Sequence, residues 1–213
     1  MNPKDQKPDD QDENPNQQGN PYCEFEIESY KALLDDRIIL FNDVVNKSII
    51  ERVVLPLVSL SNKNIQPIKL LINSPGGSVE DGQMVVDAII SSRAPVITVA
   101  LGQAMSAAFD IFMAGDRRVV YPNTILMMHS GSSRFDTQTL PQHNVEADLH
   151  RRYFDRWSKW YASRTKIDQK AWLDMLNTGL NYYYFPEEAL KLGLVHEIIQ
   201  PIAKPLLKKR FKL

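Results

Sequence analysis

At 213 residues, with a net charge of −1 and 43% hydrophobic residues, the chain has the size for one domain with a sizeable core, and its balanced charge gives no general case for nucleic-acid binding. No stretch reaches the ~18 consecutive apolar residues of a membrane span. The single cysteine, Cys23, excludes an internal disulfide framework, so a reducing, cytoplasmic setting is expected.

Residues 1–21 carry Pro, Asp, Gln, Asn and Lys and almost no apolar residue. They lack the apolar centre of a signal peptide and are expected to be disordered. The folded domain is expected over 22–200 and a basic tail over 201–213. Residues 37–41 read as the first core strand. Residues 44–60 repeat apolar side chains at Val45, Ile49, Val53 and Leu57, a helical stripe that Pro56 should kink or break. Residues 68–72 read as a second buried strand. Asn73-Ser-Pro-Gly-Gly-Ser78 follows directly, and its glycines permit positive φ and close approach of a ligand to the backbone. The next helix has Glu80 and Asp81 in its first turn, where acids suit the dipole, and ends at Arg93-Ala-Pro95.

A β-branched run from Val96 reads as a third buried strand, broken by Gly102 and Gln103. Ser106 then opens an apolar helix that Gly115 closes. A serine on such a strand-to-helix turn lies among free backbone N–H groups at the positive end of the helix dipole, which favour an alkoxide and an acyl-transfer oxyanion. The plainer alternative is that Ser106 only caps the helix. Residues 117–121 and 124–128 read as short strands, the second ended by His129, and residues 130–142 as a polar loop. A long helix over 145–163 holds Trp157, Trp160 and Tyr161. A helix over 167–176, a strand over 182–185, a helix over 186–193 and a last strand over 194–199 complete the domain. A hydrolytic serine needs a base, an orienting group for that base and an oxyanion hole. His143 and His150 lie among charged residues and read as surface positions, and His196 sits beside Glu197. His129 stands at a strand end, a common place for functional groups in α/β folds.

Asn73-Ser-Pro-Gly-Gly77, Gly102-Gln-Ala-Met-Ser106, Met127-Met-His129 after Pro122-Asn123, and Pro186-Glu-Glu-Ala189 with Leu192-Gly-Leu-Val195 stand in the order and spacing of the Clp protease proteolytic subunit. The chain resembles that family over roughly residues 30–199. The resemblance implies an α/β, ClpP/crotonase-like fold of repeated ββα units, a single domain with a protruding long helix. It also implies a serine peptidase acting on peptides or unfolded protein inside stacked heptameric rings, a tetradecamer fed by an ATP-driven AAA+ unfoldase. No cofactor, metal, nucleic acid or membrane enters this picture.

Carried over position by position, the family makes Ser106 the nucleophile, His129 the base, and the N–H groups of Gly77 and Ala107 the oxyanion hole. The third catalytic residue, an Asp in the family, falls on Asn181 when counted back from Ala189. After His129 this chain has Ser130-Gly-Ser-Ser where the family has a Gln-Pro pair and glycines. Two alternatives follow. One is a weakly active or inactive paralogue assembling with an active subunit. The other is a crotonase-type acyl-CoA enzyme on the same fold, with Glu80 and Asp110 as its carboxylates. A membrane-bound signal-peptide peptidase would need a Ser/Lys dyad, and the motifs contain no lysine.

Overall fold

The computed structural model describes residues 21–131 and 139–200. The expected disordered leader, the middle of the polar stretch after His129 and the basic tail lie outside the described residues.

Among the described residues seven strands form one sheet. β1 (Ile38–Phe41), β2 (Ile68–Ser74), β3 (Val96–Met105), β4 (Arg117–Val120) and β7 (Glu197–Ile198) run parallel in the order β1-β2-β3-β4-β7. β5 (Ile125–Met128) pairs parallel with β3, and β6 (Tyr182–Tyr184) pairs antiparallel with β5. Strand, Gly-rich turn and helix recur: β2 leads into α3 (Val79–Ile90) and β3 into α4 (Ala107–Ala114). Ser78 caps α3 by accepting from the Asp81 N–H at 3.2 Å, with Glu80 and Asp81 in the first turn.

β3 is longer than the sequence reading allowed. Gly102 does not end it. Residues 97–100 pair with β4 and residues 103–105 with β5, so Gly102, at φ +80, is where the strand changes partner. That φ is one side chains rarely adopt, and a Cβ there would also lie 2.7 Å from Asn73 Oδ1, so glycine is favoured. The strand thereby continues to the residue before Ser106. The last strand is shorter than expected, reduced to Glu197–Ile198.

Pro56 does not split the stripe into two helices: a π-helical turn over Ile50–Val54 runs directly into α2 (Leu55–Lys63), the change of helix type falls just before Pro56, and the Arg52 carbonyl accepts from the Tyr30 hydroxyl at 3.0 Å. α1 (Pro21–Asp35), before β1, has no counterpart in the sequence reading.

α4 is fully buried at every position except Asp110, which is half-buried, and fills the core with Phe109, Ile111, Phe112 and Met113. Arg164 binds the carbonyls at its end, and Arg118 reaches the last of them, that of Gly115, at 3.5 Å. Arg164 donates to the Met113, Ala114 and Gly115 carbonyls at 2.7–2.9 Å. Buried Arg118 donates to the Leu194, Gly193 and Arg164 carbonyls at 2.7–3.0 Å. Burial, with Arg164 close by, holds the Arg118 guanidinium down at about 10. The helix C-terminus supplies the partial negative charge that both cations need.

α5 (Leu140–Arg164) projects at its N-terminal end and docks at its C-terminal end. Its aromatic cluster packs against the core. Tyr161 is buried, 4.7 Å by ring centroid from fully buried Trp172 of α6 (Gln169–Thr178), with Trp157 and Trp160 packed beside it. A short α7 (Pro186–Leu192) ends at Gly193 and leads to β7. Among the described residues no helix is long and apolar enough to cross a membrane.

Candidate active site

The register of the sheet brings Ser106 and His129 together. Met105 of β3 pairs with Met127 of β5, and the Ser106 N–H continues the ladder onto the Met127 carbonyl at 2.9 Å. Both residues therefore leave the sheet at the same end of adjacent parallel strands. Ser106 turns into α4 with φ 53 and ψ −129, a conformation that costs a non-glycine residue strain. Its hydroxyl makes no capping bond to α4, contrary to the plainer reading of a helix-start serine. The Oγ instead lies 2.7 Å from Nε2 of His129. A strained serine presented to a histidine base is the arrangement of an activated nucleophile.

Two residues with unused backbone amides line the same cleft. Ala107 is the first residue of α4, so its N–H has no helical partner. Gly77 lies on the β2–α3 turn, which is held to Val45 by bonds on either side: Val45 N–H to the Gly76 carbonyl and Ser78 N–H to the Val45 carbonyl, both 2.8 Å. Those bonds leave the Gly77 N–H unused among the described residues. Gly77 sits at φ +150, and a Cβ there would lie 2.2 Å from the Val45 carbonyl oxygen. Gly76 backs directly onto the Ser106 turn, where a Cβ would lie 2.6 Å from that of Ser106. The two glycine-bearing turns thus place Gly77, Ser106 and Ala107 on one cleft of about 530 Å³, with His129 beside them.

Burial pushes the His129 imidazole below its ordinary value, so the ring is neutral and able to accept a proton at neutral pH. Asn181 is in register with it. The β5–β6 pairs Met127↔Tyr183 and Met128↔Tyr182, carried one residue further, set His129 opposite Asn181. The Asn181 side chain nevertheless makes no bond to His129 among the described residues. It is exposed, and its amide donates to the Tyr183 hydroxyl at 3.5 Å.

Asp110 lines the same cleft one turn beyond Ser106 and accepts a short hydrogen bond from the buried Tyr161 hydroxyl. Burial pushes its carboxyl up to about 7, against the lowering effect of that bond. The pairing joins residues far apart in the chain. Its only sequence signal is a lone charge in an otherwise apolar helix. His150, read as a surface residue, is half-buried on the wall of the cleft. Glu80 also lines it, in the first turn of α3, with the Ser78 hydroxyl donating to it at 3.3 Å.

The model of the Clp protease family matches residues 23–201. The chain belongs to the Clp protease family. This Clp protease chain is 35% identical over 173 residues to the ATP-dependent Clp protease proteolytic subunit of Deinococcus radiodurans, covering 80% of this chain and 83% of the relative. Among solved structures it resembles an asparagine-to-aspartate mutant of ClpP1 from Listeria monocytogenes. The TM-score is 0.72 and the identity 27%, over 82% of this chain and 97% of that one.

Proposed function

We propose that this chain is a serine endopeptidase subunit in which Ser106 is the nucleophile, His129 the general base, and the Gly77 and Ala107 N–H groups the oxyanion hole. The observation that carries the reading is the 2.7 Å contact of Ser106 Oγ with His129 Nε2 beside two unused amides. Ser106 Oγ attacks the scissile carbonyl while its proton passes to Nε2. The carbonyl oxygen takes up negative charge between the two amides. His129 then returns the proton to the leaving amine, and water releases the acyl group from Ser106 by the reverse path. Asn181, once turned inward, orients the imidazole through its side-chain oxygen.

The substrates proposed are peptides and unfolded polypeptides, cleaved in a chamber of stacked rings to which an ATP-driven unfoldase delivers them, in the cytoplasm. The relative's name, which pairs a proteolytic subunit with ATP dependence, supports this. A fluorophosphonate probe tests the site: it should label the wild-type protein and fail on Ser106→Ala. A folded wild type inert to the probe would overturn the assignment.

A second reading, a slow subunit that depends on an active partner chain, is favoured by Asn181, which carries no charge and faces Tyr183. It predicts labelling of Ser106 with little turnover by the purified chain alone.

A further inference from the structure

Every residue of α4 other than Asp110 is apolar and buried. Asp110 is the exception, and it faces the cleft. Its backbone N–H meets the Ser106 carbonyl at 3.4 Å, so the two side chains share a helix face one turn apart. One carboxyl oxygen accepts from Tyr161, whose ring is held between Phe109, Trp157 and Trp172 at centroid distances of 4.7–5.9 Å. The second oxygen has no protein donor among the described residues. The aromatic cluster therefore fixes a carboxyl group on the lining of the pocket, next to the nucleophile.

The rest of the pocket suits a particular side chain. Leu149, Phe154, Trp157 and Leu176 give it apolar walls. Glu80 lines it as well as Asp110, and no Lys or Arg does among the described residues. Apolar walls with a fixed carboxyl group among them match a side chain with a methylene stem and a cationic head.

We propose that Asp110 makes this pocket select lysine or arginine in the substrate residue whose carbonyl Ser106 attacks. The inference rests on the peptidase reading and names its substrate class. The cation donates to the free oxygen of Asp110, and its stem packs on the walls from α5 and α6. The upward displacement of the Asp110 carboxyl by burial fits a group that awaits an ionic partner: an incoming ammonium or guanidinium restores the charged form. A structural role for Asp110, limited to satisfying Tyr161, would be kept by Asn and would leave substrate choice untouched.

Two diphenyl phosphonate peptides that differ only in the residue next to phosphorus, lysine against its uncharged analogue norleucine, test this on the full-length assembled protein. The wild type should be inactivated faster by the lysine probe by about tenfold or more, the scale set by one charge-assisted hydrogen bond. Asp110→Asn should remove most of that ratio, and Asp110→Leu should reverse it. A wild type that prefers norleucine overturns the proposal without recourse to any variant. So does a folded Asp110→Asn with an unchanged ratio. A fluorophosphonate without a side chain separates the two levels. Labelling of Ser106 with no lysine preference removes only the role of Asp110, whereas no labelling of folded wild type removes the peptidase reading and this one with it.

Discussion

Asn181 stands cross-strand from His129, yet its amide donates to the Tyr183 hydroxyl and not to the imidazole. A carboxylate at this position would hold the ring's N–H and stabilise the imidazolium formed during attack. Asn supplies at most an oxygen acceptor. In the free protein burial alone acts on His129, and it pushes the imidazole below its ordinary value.

Asn181→Asp should therefore accelerate hydrolysis of a small peptide, by about tenfold for each ~1.4 kcal/mol of imidazolium stabilisation gained. The pH profile carries the sign. The base works only when neutral, so activity falls as pH drops through the His129 pKa. In the wild type burial moves that limb below the ordinary imidazole range. A new negative charge beside the ring raises the imidazole pKa, so the limb in Asn181→Asp moves to higher pH while the plateau rises. Asp110, which titrates at about 7 in the same cleft, is common to both proteins and cancels in the comparison. An unchanged limb and an unchanged plateau would show that Asn181 does not act through His129.

The strain at Ser106 makes a second expectation. Its φ of 53 is tolerated by glycine at no steric cost, and its hydroxyl does not cap α4. Relief of ~1–3 kcal/mol of backbone strain exceeds the ~0.5–1 kcal/mol that glycine loses in chain entropy. Ser106→Gly should be inactive and at least as resistant to thermal unfolding as Ser106→Ala. A melting temperature several degrees below that of Ser106→Ala would show that the turn is not strained.

What could be read from the chain follows from how local each feature is. The alternation of apolar runs with Gly-bearing turns already indicated two strand–turn–helix units, with Ser106 at a helix start and His129 at a strand end. Features made by docking were hidden. Asp110 and Tyr161 lie on separate helices and meet only when α5 packs on α4. β6 reaches β5 across the whole α5–α6 excursion, so the register that faces Asn181 to His129 has no local signal. α1 escaped notice because it buries little: Phe25 is 70% and Ile27 49% exposed, so no apolar stripe marks it. Gly102 misled in the other direction, since a glycine inside a strand marks a change of partner as readily as an end.

Gly77→Ala tests the oxyanion hole from the backbone side. The added methyl would sit 2.2 Å from the Val45 carbonyl at a φ of +150, so the turn must move and take the Gly77 N–H with it. Loss of one such donor costs about 10²–10³ in kcat. Peptide turnover should fall by that order while fluorophosphonate labelling is slowed but retained. Turnover within twofold of wild type would remove Gly77 from the mechanism.

Assembly makes the last prediction. With the aromatic cluster of α5 packed inside, the apolar surface left on its projecting half is Val145, Leu149 and Tyr153, exposed by 67%, 42% and 38%. The three are four residues apart, so they form one stripe along the helix. A stripe that the described residues leave uncovered is where the proposed stacking of rings would be made. Val145 is the outermost of the three and does not line the cleft, so Val145→Glu places a charge in the contact without touching the site. Each copy would lose about 1.5–3 kcal/mol of apolar burial, and stacked rings repeat that loss at every contact. Native mass spectrometry of Val145→Glu should therefore show single rings or smaller species where wild type gives the stacked assembly. Activity toward the smallest peptides should change less than assembly does. A stacked assembly of unchanged mass and stability in Val145→Glu would place the ring contact elsewhere than on the projecting half of α5.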